Sequence, residues 1–137
     1  MSEPIVVACS CESTMPLDAA AIRKACPGAK LQTADHLCRR QIALFETLLE
    51  ETDRLVIGCT QEAPLFAAAA QEAGYDGALT FRNLRETAGW SDQAADAGPK
   101  MGALLASGLE PDHAPRAHEA TSEGVVLVLG RDETAVT

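Results

Sequence analysis

Leu55-Val56-Ile57-Gly58-Cys59-Thr60-Gln61-Glu62-Ala63-Pro64-Leu65-Phe66 is the stretch whose reading decides the fold class. Its opening is a short apolar run with β-branched residues, which reads as a buried strand that ends at Gly58-Cys59. Thr60 to Ala73 reads as an alanine-rich helix, with Pro64 in the first turn, where a missing N–H costs nothing, and Gly74 behind it. A strand that passes straight into a helix is half of a βαβ unit.

The same pattern recurs on both sides. Upstream, Ile5-Val6-Val7-Ala8 is a second buried strand feeding the loop Cys9-Ser10-Cys11. Pro16-Leu17-Asp18 then opens a helix that runs through Ala19 to Cys26 and stops at Pro27-Gly28. Lys30 to Ala34 is a weaker strand, followed by Asp35-His36 as a cap. A helix is expected from Cys38, because Cys38, Ile42, Phe45 and Leu49 fall on one face and turn Cys38 inward. Downstream, Ala78 to Phe81 reads as a strand, Arg82 to Trp90 as a polar loop or short helix, and Gly98 to Gly108 as a helix.

Strands alternating with helices predict an α/β fold: three layers, a mostly parallel sheet of about four strands, and helices on both faces. A C-terminal apolar strand, Val125 to Leu129, is added to that. Residues 1–108 form the cysteine-bearing domain, 109–123 have linker composition, and 124–137 either begin a following domain or supply the last strand of this sheet.

Composition narrows the function classes. Hydrophobic residues make up 47% and charged residues 23% of 137, enough to bury one core. The net charge is −9, and it is uneven: residues 1–60 carry 6 basic and 8 acidic side chains, residues 61–137 carry 5 and 12. Such a surface argues against nucleic acid as a partner. Neither Met1 to Pro4 nor the short apolar run after it has the make-up of a signal peptide or a membrane span, so the expected location is the cytoplasm. There, five cysteines point to thiol chemistry or metal binding rather than disulfides.

Four of the five form a set by topology alone. In a parallel α/β sheet the strand C-termini share one edge, and ligands bind there. Cys9 and Cys11 leave the first strand at that edge, Cys59 leaves another, and Cys38 opens the helix after a third. Cys26 ends a helix at the opposite edge and reads as a small buried apolar residue. Four thiolates near helix N-termini suit an anionic cluster, and cysteines in fours are the usual ligands of 4Fe-4S centres. Zinc also accepts four cysteines, and free or redox-active thiols remain open too.

Arg39 and Arg40, beside Cys38, are placed either to supply positive charge to that site or to face solvent. Arg82, Asn83, Arg85 and Glu86 follow a strand end. They either hydrogen-bond a bound group, dock a partner, or pair with one another. His36 reads as a cap or surface residue before it reads as a ligand, and Trp90 as a packing anchor. No Ser-His-Asp set or phosphate-cradling glycine loop is visible, and Gly130-Arg131-Asp132 lacks the glycines of a dinucleotide fingerprint. Catalysis by this stretch alone is not expected.

The sequence resembles the N-terminal domain of the heterodisulfide reductase A family and of related long bacterial ferredoxin-type proteins. The resemblance rests on Val7-Ala8-Cys9-Ser10-Cys11, Leu37-Cys38-Arg39-Arg40-Gln41, Leu55 to Phe66, and Phe81-Arg82-Asn83-Leu84-Arg85-Glu86 with Trp90. It implies a cytoplasmic electron-transfer module with a 4Fe-4S cluster on Cys9, Cys11, Cys38 and Cys59. Its partner is a redox protein or the following flavin- or nucleotide-binding-like and ferredoxin domains of one polypeptide. Such a cluster is prone to loss in air. Many archaeal members of the family carry a further cysteine before the tryptophan, where this chain has Ala88-Gly89, and a glycine where it has Glu12. The alternative function is a scaffold domain with a structural zinc or free thiols.

Overall fold

The computed structural model describes residues 2–111 and 119–125. Four strands, β1 (Ile5–Cys9), β2 (Lys30–Ala34), β3 (Arg54–Ile57) and β4 (Ala78–Phe81), form an all-parallel sheet in the order β2-β1-β3-β4. Between and after them lie α1 (Ala19–Ala25), α2 (Ile42–Glu51), α3 (Ala63–Glu72) and α4 (Gly98–Ser107).

Every residue of β1 is buried, as a strand covered on both faces must be. Its side chains alternate between two cores. Ile5, Val7 and Cys9 join Leu55, Ile57 and the α2–α3 residues Phe45, Leu48 and Phe66. Val6 and Ala8 join Val56, Ile22 of α1, and Met101 and Leu105 of α4. Three layers result. Phe45 and Phe66 meet as a tilted pair with ring centroids 4.8 Å apart, and each fully buried ring contributes about 1.5–3 kcal/mol of burial free energy.

The strand order explains which helix goes where. The chain steps from β1 outward to β2, then returns across β1 to β3 and β4. Right-handed crossovers on a path that reverses must use opposite faces. That puts α1 on one face and α2 and α3 on the other, as the two cores record. The reversal point lies between β1 and β3, and at their C-terminal ends it opens the crevice where ligands of such sheets bind.

Local details differ from expectation in two places. Asp18 is the N-cap of α1, accepting from the Ala21 N–H at 2.9 Å, so Pro16 precedes the helix rather than sitting in its first turn. The helix expected from Cys38 begins only at Ile42, and Leu37 to Gln41 form a turn. Gln41 causes this: its Oε1 accepts the N–H groups of Asp35 and His36, both at 2.8 Å, and folds the chain back before the helix starts. Arg82 to Trp90 contains one π-turn, Arg85–Gly89. The expected C-terminal strand, Val125 aside, and residues 112–118 of the expected linker lie outside the described residues.

Candidate functional site

A cavity of about 340 Å³ opens at the C-terminal edge of the sheet, and Cys9, Cys11, Cys38 and Cys59 all line it. That volume falls in the range of small-ligand sites, about 300–1,000 Å³. Leu37, Phe66 and Leu84 contribute an apolar floor, each at most 1% exposed.

Each thiol arrives by a different local device. Cys9 is the last residue of β1, and its Sγ–H donates to the Asp35 carbonyl at 3.3 Å. Cys59 follows β3 and Gly58, where the chain turns toward α3. Burial pushes its thiol pKa up, while the nearby backbone N–H groups of Glu62 and Gln61 pull the other way. Cys38 sits on the Gln41-fixed turn, and burial, then the Glu62 carboxylate, raise its pKa. Cys9 and Cys59 each add to the Cys38 shift, and Cys9 adds to that of Cys59.

Cys11 is held differently. Cys11, Glu12 and Ser13 have φ of 52°, 62° and 59°, three consecutive non-glycine residues in the left-handed region. Each costs roughly 1–2 kcal/mol against the right-handed alternative. Asp35 secures the turn: its Oδ1 accepts the Ser10 and Ser13 hydroxyls at 2.6 and 2.7 Å, and its carbonyl accepts the Glu12 N–H at 2.6 Å. Those hydroxyls, and Arg40 beyond them, hold the Asp35 carboxyl below its ordinary pKa.

The three arginines separate. Arg85 lines the cavity, its Nη1–H donating to Cys11 Sγ at 3.5 Å and its Nη2–H to Gln61 Oε1 at 3.5 Å. Arg39 also lines it, 3.7 Å from Glu62. Arg40 turns to Asp35 at 3.0 Å and Glu12 at 3.8 Å, outside the cavity wall. Asn83 and Glu86 stand over the cavity, whereas Arg82 pairs with Ser107 at the end of α4. His36 reaches the cavity with Nδ1 buried and without a hydrogen-bond partner among the described residues. Cys26 is 2% exposed in the α1–α4 core, its thiol facing the Gly102 carbonyl at 3.6 Å and its pKa raised by burial.

Sequence reasoning missed several site residues. Thr14 and Met15 line the cavity without any motif to announce them, and Asp35 acts through the Cys11 turn rather than as a helix cap. Trp90, read as a packing anchor, is 54% exposed on the rim. Among the described residues no three His, Cys, Asp or Glu side chains close into a group that holds a single metal ion; the four thiols stand around the cavity instead. No helix among the described residues is long and apolar enough to cross a membrane. Comparison with family models, curated proteins and solved structures returned no match.

Proposed function

We propose that this chain is an electron-transfer domain carrying a 4Fe-4S cluster on Cys9, Cys11, Cys38 and Cys59. In this reading it is a cytoplasmic part of a larger system of the ferredoxin or heterodisulfide reductase kind, with a redox protein or further domains as partner. The observation that carries it is the convergence of four thiols, from three separate chain segments, on one cavity at the strand-order reversal. A bound cluster supplies one-electron redox chemistry.

The chain's own residues suit that group. The donor set is all thiol, with the Gln61 and Glu62 N–H groups beside the Cys59 sulfur and the Arg85 guanidinium donating to Cys11 Sγ, positive partial charge that would face a bound anionic cluster. Leu37, Phe66 and Leu84 exclude water from the floor. A lone zinc draws four sulfurs to about 2.3 Å from one point. Four thiols on the lining of one cavity suit a polynuclear group as well as that alternative, and X-ray absorption separates the two. Thiol catalysis by Cys38 or Cys59 is disfavoured because burial raises rather than depresses their pKa values.

Anaerobic reconstitution followed by iron and acid-labile sulfide analysis tests the reading, with about four of each per chain expected. A colourless product without sulfide refutes it. Zinc in tetrahedral sulfur coordination by X-ray absorption replaces it with the scaffold alternative.

A further inference from the structure

The side chains around Cys11 close into a ring. Arg85 donates to Cys11 Sγ at 3.5 Å and lies over the Trp90 ring, 4.3 Å from its centroid. The Trp90 indole N–H donates to Thr14 Oγ1 at 3.0 Å, and the Thr14 hydroxyl donates to the Cys11 carbonyl at 2.8 Å. The path runs from the Cys11 sulfur through Arg85, Trp90 and Thr14 back to the Cys11 backbone.

Two backbone features make the ring possible. Residues five apart on an α-helix point about 140° apart. The π-turn Arg85–Gly89, closed by the Trp90 N–H to the Arg85 carbonyl at 2.8 Å, brings Arg85 and Trp90 onto one side instead. Gly89 then lets Met15 of the cysteine loop approach: a Cβ there would lie 2.0 Å from Met15 Sδ.

Cys9 is fixed by strand pairing, and Cys38 and Cys59 pack against the same core as β1. Cys11 belongs to neither core and sits in the left-handed turn. We infer that Arg85, Trp90 and Thr14 form a clamp that positions the Cys11 thiol, and that Cys11 is the cysteine of the four whose placement depends on side chains from beyond β4. The inference rests on the four-thiol reading for its purpose, although the clamp itself does not require a bound group. Arg85 is a positioning residue here, acting on a bound cluster through Cys11.

The test has two arms. In metal-free protein under reducing conditions, alkylation is followed cysteine by cysteine by mass spectrometry in wild type and in T14V, which breaks the ring but keeps Arg85. Thr14 and Trp90 are exposed, so the fold survives the change. The expected result is Cys11 labelling several-fold faster, with Cys9 unchanged; equal Cys11 rates in wild type and T14V overturn the clamp. In reconstituted protein, R85Q is expected to release iron to a chelator about tenfold faster than wild type, with R85K restoring most of the difference. R85Q is also expected to lower the reduction potential, because it removes a positive charge beside a ligand sulfur. R85Q matching wild type in both measurements overturns the positioning role. Wild type that takes up no iron refutes the cluster reading alone, since the first arm reads the clamp without metal.

Discussion

Gly58→Ala is the substitution that most directly probes how the sheet delivers its thiols. A Cβ on Gly58 would lie 2.5 Å from Leu84 Cδ1 and 2.9 Å from the Val7 carbonyl oxygen. Leu84 is fully buried and has little room to retreat. The Val7 carbonyl accepts the Gly58 N–H at 2.8 Å, so moving it pulls β1 from β3 beside Cys9 and Cys59. Overpacking a tight interior costs about 1–3 kcal/mol. At roughly 4 °C per kcal/mol for a domain of this size, the melting temperature falls by about 4–12 °C. Thermal unfolding of the metal-free protein by circular dichroism reads the fall. Adding Leu84→Ala removes the nearer clash but leaves the carbonyl, so the pair should be less destabilised than the sum of its parts by about 1 kcal/mol. A G58A protein that melts within about 2 °C of wild type refutes the reasoning.

Three further outcomes are expected. The hydrogen bonds to Asp35 depress its folded pKa, so the carboxylate stabilises the folded state above the ordinary aspartate value of about 3.9, and that contribution is lost as pH falls below it; wild type should exceed Asp35→Asn in stability at neutral pH, and the gap should close in acid titration. Cys26→Ala costs about 1 kcal/mol of stability by leaving a small gap in the α1–α4 core, and it leaves iron uptake unchanged on analysis, which separates Cys26 from the other four. Glu12→Gly relieves one left-handed residue and raises stability by about 0.5–1 kcal/mol in denaturant unfolding, and a loss of stability there contradicts the observed turn.

The sheet and the four helices were legible because their signals are local and repeated. The run from Leu55 to Phe66 announces strand, turn and helix in a dozen residues, and topology then brings Cys9 and Cys59 to the same edge. Two site devices have no comparable signature. The left-handed turn at Cys11-Glu12-Ser13 carries no glycine, the residue that normally marks such a conformation, and it is held instead by Asp35 from a distant loop. The π-turn depends on Asn83, whose Oδ1 accepts the Glu86 N–H at 3.1 Å, and on Gly89 against Met15. Neither leaves a periodic pattern. Cys38 fell between: its place at the edge was readable, but the helix expected there gave way to Gln41, whose amide binds backbone instead of continuing the apolar stripe.

The four thiols therefore differ in what fixes them, and the difference follows from the chain path. Cys9 and Cys59 come from the adjacent central strands on either side of the reversal point, so any sequence that closes this sheet brings them together. Cys38 comes from the loop after edge strand β2 and needs the Gln41 turn to face inward. Cys11 needs strain in its own backbone, an aspartate from beyond β2 and an arginine from beyond β4. A site built on such a gradient should lose its thiols in the reverse order when loops are perturbed: Cys11 first, Cys38 next, and the strand-end pair only when the sheet itself opens. Stepwise labelling of the metal-free protein across a denaturant series would display that order. Simultaneous exposure of all four would mean that the loops and the sheet unfold as one cooperative unit.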